Sequence, residues 1–476
     1  MAKWLEPPGG SMRIVMLLLF AIPALAGCLS SETVDEESPI VLPPLPVGVS
    51  ISGNASADLY EELITAEGTY YSIGASTFEP TIDTTSTGGI FMNSFAGLGR
   101  GTQIRRSMDQ GQTWEDVTPN LPTGAKAVPN SNDPFIYVDP WTDRIYDFDM
   151  CLILSGFCVS YSDDDGATWL TQSIATGEAP ALDHQSLAAA PAGESQTVGY
   201  PNVLVFCVNR GLTTGGSWCS SSFDGGIVWT PAVPGFPTDK PQCHGLSGHV
   251  VGANDGTFYR GNPSCDGPAV YRSEDGGLTW TQHDIASEVG VLSHEIAAAV
   301  DEDGGVHAFW IGSDGLPRLA SSADKGETWS EARIVGADGV TAAGFPTAVA
   351  GASGRVAFAY IGSTDKGGYD GDPDTMKWNG YIGITIDAFA DAPTFVQVAV
   401  NKVDDPLDEG GPCGRVRCGG FGDFIDIAVD AEGRPWAAMA HNGYNNAGIV
   451  GTLRSGPSLI EGQLTVLPVG GAAVWE

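Results

Sequence analysis

Lysine is scarce in this chain: of 22 Lys and Arg only seven are Lys, against 58 Asp and Glu, for a net charge of −36 over 476 residues. That balance excludes nucleic acid and polyanions as ordinary partners. It suits a solvated surface, or one that gathers cations. Apolar residues at helical spacing are missing nearly everywhere, which excludes helical and α/β folds; only 57–66 (ADLYEELITA) fits one short helix. No cysteine pair has CxxC spacing, which removes the commonest zinc arrangement. The one long apolar run, 14–28 (IVMLLLFAIPALAGC), is too short to span a membrane and stay there.

That run follows Met12-Arg13 and ends Leu25-Ala26-Gly27-Cys28, which reads as a secretory signal with the lipobox of a prokaryotic lipoprotein. Residues 1–28 are then signal, with Cys28 lipidated. Residues 29–60, acidic and Pro-rich at the start, form a tether, and 61–476 one domain. The expected location is the outer face of the cytoplasmic membrane or the cell envelope, with the lipid as the only membrane contact. Without Cys28 the eight remaining cysteines are even in number, as suits an oxidising compartment. Spacing pairs Cys151 with Cys158, Cys207 with Cys219, Cys243 with Cys265 and Cys413 with Cys418.

One phrase, Ser-x-Asp-x-Gly-x-Thr-Trp, occurs five times, from Ser107, Ser162, Ser222, Ser273 and Ser322, at spacings of 55, 60, 51 and 49 residues. Only Val228 departs from it. The Ser and the Asp (Asp109, Asp164, Asp224, Asp275, Asp324) accept backbone N–H groups in a tight turn. The Gly supplies a left-handed residue and the Trp buries its face between sheets. Repeats of this length mean one supersecondary unit stacked on its neighbours. A second pattern, strand–turn–strand, begins at Glu79, Asp133, His184, His244, His294, Phe345 and Asp423. Seven units of four strands predict an all-β, seven-bladed β-propeller. A decayed phrase, Thr385-Ile-Asp387…Thr394-Phe395, marks the sixth unit.

The five phrases resemble the Asp-box (BNR) repeats of sialidase-like propellers. That family has six blades, so the resemblance makes six the alternative count. It implies a site at the channel face where the inner strands start, with the Asp boxes on the opposite face. The seven unit starts then form a ring. Glu79, Asp133 and Asp423 are candidate catalytic carboxylates for paired-carboxylate glycoside hydrolysis. His184, His244 and His294 with Asp133 are candidate ligands for a divalent metal; the alternative is polar residues lining a wet channel. In the long loop 361–382, Asp370, Asp372 and Asp374 could wrap Ca²⁺, and Tyr369, Trp378 and Tyr381 could stack on a sugar. The family clamps its substrate carboxylate with three arginines, one in an Arg-Ile-Pro motif. No Arg-Ile-Pro occurs here, and Arg100, Arg210 and Arg260 are the cations near the face loops. Two functions follow: a module binding glycan, peptide or protein ligands on the channel face, or a glycan-active enzyme, either a sialidase-like hydrolase or a metal-dependent lyase.

Overall fold

The computed structural model describes residue 45 and residues 48–471 apart from 54, 96–101, 120–133, 153–155, 176–181, 194–195, 211–215, 241–242, 244, 293–294, 368–374 and 410–418. Of the expectations above, Cys28, Arg100, Asp133, His244, His294, Tyr369, Asp370, Asp372, Asp374, Cys413 and Cys418 lie outside the described residues.

The described strands form seven antiparallel sheets, the blades of a β-propeller. The count is seven, not six. The innermost strands, in blade order, are Ile82–Thr84, Phe135–Val138, Leu182–Pro191, Val250–Gly252, Ala297–Val300, Ala342–Ala350 and Asp426–Val429. From each of them the chain meanders outward. Second strands such as Val306–Ile311 (VHAFWI) are buried along their whole length because a neighbouring blade covers each face. The apolar core falls into seven clusters, one per pair of neighbouring blades. Phe148, Phe157 and Phe206 join blades two and three; Ala253, Val270 and Trp310 join blades four and five.

The ring is closed by chain from before the first blade. Glu67–Ser76 is the outer strand of blade seven, pairing with Ala447–Ser455 so that Tyr71 lies opposite Val450. Val49–Ser52 adds a further strand to blade six, against Phe395–Ala399. These four residues, placed in the tether by the boundary at residue 60, therefore belong to a sheet. Val49 and Ile51 pack on the core between blades six and seven, and that burial outweighs the Pro-rich context before them. The expected helix forms at Ala57–Leu63, with Ser56 capping it through a bond from Leu59 N–H (3.2 Å). No helix among the described residues is long and apolar enough to cross a membrane.

The five repeated turns share one geometry. Ser Oγ accepts the Gly N–H at 2.8–2.9 Å in every copy. The Asp accepts from the Ser hydroxyl and from the backbone N–H four residues on. In four copies the Thr hydroxyl donates to the second Asp oxygen at 2.6 Å. The Gly has φ between 77° and 92°, which a side chain would strain. Each Trp packs into the interface with the preceding blade. The decayed copy keeps the same staple: Thr385 donates to Asp387 (2.8 Å), which accepts Thr394 N–H (2.9 Å). Disulfides Cys207–Cys219 and Cys243–Cys265 form as spacing suggested, the first across directly paired strands. Cys158 is disulfide-bonded as well.

Candidate ligand-binding site

The inner strands surround a central channel. Of the seven expected ring residues, the four described ones are packed away: Glu79, His184 and Phe345 are 1% exposed and Asp423 3%. They do not line a wet channel mouth. Glu79, His184 and Phe345 all adopt left-handed backbone, with φ of 51°, 56° and 58°. At His184 and Phe345 the ladder also slips, between Asp183 and Ser186 and between Gly344 and Thr347. The unit start is thus a bulge that turns the chain into the channel wall.

Sequence reasoning missed the titratable channel residues Asp83, His249, Glu295 and Asp426. The inner turn of most blades is closed by a backbone bond from its first residue, as in Thr85 to Gly89, Ala253 to Thr257, Asp301 to Gly305, Gly351 to Arg355 and Asp430 to Arg434. Six residues back from each lie Glu79, Ser247, Glu295, Phe345 and Phe424. On that register Glu295 holds the place assigned to His294, and Phe424 the place assigned to Asp423. The turn residue was the available signal.

These groups meet across the axis. His249 of blade four approaches Asp426 of blade seven (Nδ1 to Oδ1, 3.2 Å). His184 of blade three faces Glu295 of blade five (4.0 Å). Phe424 lies edge-on to both imidazoles, at 4.8 and 5.2 Å between ring centres, and Phe135 edge-on to His249 at 5.1 Å. Glu79 accepts the N–H of Asp423 (3.1 Å), tying blade one to blade seven. Side chains from blades two, three, four, five and seven thereby fill the channel where the inner strands begin.

Beyond this constriction a cavity of about 290 Å³ follows the inner strands. Its wall is apolar over most of its length, with Ile136, Val138, Leu187, Val251 and Val349 among the lining residues. Asp83, Glu295 and Asp426 are the carboxylates in it, and no Lys or Arg is among the described lining residues. The wall becomes more exposed towards the strand ends: Thr84, Val251, Val300 and Ala350 are half-buried. By strand alternation this is the end that carries the Ser-x-Asp turns.

Burial raises the Asp83 carboxyl to about 7; bonds from Val138 and Thr84 N–H oppose the rise, and Asp426 and Asp139 add to it. Burial also holds Glu295 well above the usual carboxylate range, with Asp423 adding repulsion. Among the described residues no group of three His, Cys, Asp or Glu is placed to hold a metal. Of the four metal candidates only His184 is described.

Other chemistry is poorly served. Ser321, His307 and Asp301 stand in hydrolase order, with His307 Nδ1 2.9 Å from Ser321 Oγ and Nε2 3.3 Å from Asp301 Oδ2. All three are sealed in blade five, and Asp301 also receives Gly354 N–H from blade six at 2.9 Å, which makes it a strut between blades. Arg260 is fully buried and donates to Gly235 O (2.6 Å) and Asn262 (3.1 Å); burial lowers it to about 10. Arg210 lies 3.8 Å over the Trp218 ring. Neither lines the cavity. Trp378 and Tyr381 are buried in blade six, not presented for stacking.

No protein-family model matches the chain, and no curated protein matches its sequence. Solved structures similar to it include Hadza microbial sialidase, at 17% identity and TM-score 0.38, covering 83% of this chain and 66% of that one. Another is the α-L-arabinanase of Penicillium chrysogenum complexed with arabinobiose, at 15% identity and TM-score 0.40, covering 70% and 97%. A third is the Aleuria aurantia lectin in complex with α-methyl-L-fucoside, at 10% and 0.42, covering 74% and 98%. Similarity at this level is one of architecture and says nothing of ligand.

Proposed function

We propose that this chain is an exported, lipid-anchored binding module that takes its ligand into the central channel and does not transform it. The observation that carries the reading is the channel itself: an apolar-walled cavity with carboxyl groups in its wall, while Glu79 and Asp423, the two described members of the three candidate catalytic carboxylates, are buried and joined through a backbone bond. A glycoside hydrolase needs two carboxyl groups open to a sugar and to water. Oxidised Cys207–Cys219 and Cys243–Cys265 fit export, and LAGC ending at Cys28 fits anchoring.

The test has two parts. Cys28→Ser should move the protein from the membrane fraction to the medium; retention in membranes at unchanged mass sinks the anchor. Glycan and peptide libraries are then passed over the wild-type chain and over Ala350→Trp, which fills the half-buried end of the cavity. Binders are expected to be lost in the variant, whose melting temperature stays near wild type. Binders indifferent to the substitution reject the channel, and steady release of fluorophore from a sialoside restores the enzyme reading.

A further inference from the structure

We infer that a second binding site, for a neutral hydroxyl-rich ring such as a sugar, lies on the outer rim in the groove between blades one and two. It does not depend on the channel reading.

The groove is a cavity of about 470 Å³ between Glu115–Asp116, the outer strand of blade one, and the repeated turn of blade two. Arg106 and Glu115 stand together in its lining, joined by bonds from Nε (3.1 Å) and Nη2 to Glu115 Oε1. Nη1 donates to Asp165 O of blade two. Three of the five guanidinium N–H groups are thus engaged and two are left, one on each Nη. Both bonds to Glu115 fall on one oxygen, so Oε2 keeps its lone pairs for another donor. A fixed donor beside a fixed acceptor matches a pair of neighbouring hydroxyls, each of which both donates and accepts. Val117 and the half-buried Trp169 supply apolar wall for the carbon skeleton of a ring.

The repeats offer a comparison within one chain. Arginine precedes the phrase twice, at Arg106 and Arg272, and Ser221 stands there in the third copy. All three donate to the same carbonyl of the next blade's turn: Asp165 O, Lys325 O (2.9 Å) and Gly276 O (2.5 Å). A serine therefore suffices for the bond between blades, and that bond does not account for a guanidinium. Around Arg272 the chain fills its own groove. Glu327 of blade five lies 3.0 Å from Nη1, and His283, at the position matching Val117, lies 3.9 Å from the same carboxylate. At the place of Glu327, blade two has Ala167, and a cavity opens there. Blade five thus shows what an arginine at this position takes, an oxygen acceptor against Nη1. In the first groove that place is open to a ligand oxygen.

Glu115 and Asp116 outnumber Arg106 in the described lining, so an anion meets a net negative wall, while a cation meets the guanidinium. A neutral polyol escapes both. A volume of about 470 Å³ lies within the range of ligand sites and takes a small glycan.

The full chain is titrated by saturation-transfer NMR with the methyl glycosides of D-glucose, D-mannose, D-galactose, L-fucose and L-arabinose, and with D-glucuronate and D-glucosamine as charged counterparts. Concentrations run to about 20 mM, since ligands of this size bind at about 1 mM. At least one neutral glycoside should bind, more tightly than either charged sugar. Ala167→Gln places a neutral counterpart of Glu327 at an exposed position, so it should weaken that glycoside about tenfold or more and leave the melting temperature near wild type. Glu115→Gln keeps the shape, removes the charge and should weaken binding about tenfold. Ala350→Trp should change nothing. No binding of any neutral glycoside, preference for a charged sugar, or binding untouched by Ala167→Gln or by Glu115→Gln would overturn the groove. Binding lost in Ala350→Trp instead would move the glycan to the channel, overturning this site and leaving that reading in place. The channel is judged on ligands that ignore Ala167→Gln.

Discussion

Val228 is the one departure among the five repeated turns at a fixed position of the phrase, and it shows what the missing atom does. In the other four copies a Thr hydroxyl closes on the second Asp oxygen at 2.6 Å. In the third copy Asp224 still accepts Val228 N–H (2.9 Å) and an additional bond from Ile227 N–H (3.1 Å), but no hydroxyl is at hand. Val228 is also exposed, so its methyl groups gain little there. Val228→Thr should therefore stabilise the protein by about 0.5–1 kcal/mol, the net worth of one partly exposed bond; an unchanged or lower denaturation midpoint would show the hydroxyl to be idle. At this scale the sequence was most legible, because the turn's partners lie within eight residues of one another. The channel groups were less so. His294 and Glu295 are adjacent, and a shift of one residue changes which side chain enters the channel. That register is set by the inner turn at Asp301 and by packing from other blades, which no local phrase records.

Among the elements, the informative one is Glu67–Ser76. It supplies the outer strand of blade seven and pairs along most of Ala447–Ser455. Tyr70 and Ile73 add to the cores on either side of that blade. The fit is tight, since a Cβ on Gly68 would lie 2.2 Å from Ala399 O of blade six. Val49–Ser52 only extends blade six at its edge. Two truncations separate these roles. A chain beginning at residue 55 should still melt cooperatively, at a lower temperature. A chain beginning at residue 77 should lose its cooperative transition and expose the edge of Ala447–Ser455 to aggregation. Equal melting of the two would contradict ring closure by Glu67–Ser76. This strand was hidden in the sequence because it precedes the first repeat and carries no turn phrase. Seven blades could be counted from the strand–turn–strand starts, but how the ring closes could not.

Over the whole molecule, two sets of carboxyl groups pull stability in opposite directions with pH. Bonds from the Thr168 hydroxyl and N–H hold Asp164 below its ordinary range, and the same pair from Thr328 takes Asp324 to about 2. Their folded pKa is depressed, so their contribution is present above about pH 4 and is lost as pH falls towards about 2. Asp83 and Glu295 are raised, Asp83 to about 7. Their contribution is complete below about pH 4, the unfolded value, and for Asp83 it is lost as pH rises through about 7. Thermal midpoints across the pH range should peak between those limits. Asp83→Asn should flatten the alkaline limb and leave the acid limb in place; a wild-type midpoint that climbs steadily to pH 8 would contradict this.

Closure by Glu67–Ser76 also sets an order of events. A chain leaves the ribosome, or a translocation pore, amino end first. Tyr71 must then wait for Val450, which is 379 residues later, before its partner exists. Up to that moment blades one to six can accumulate only as an open arc, with an unsatisfied strand edge at each limit. The propeller therefore locks in a single late step, after nearly all of it has been delivered. Before that step the chain is an open arc; after it the ring is closed. Delivery and final folding are thus separated in time by the position of one strand, a long-range pairing that makes folding slow.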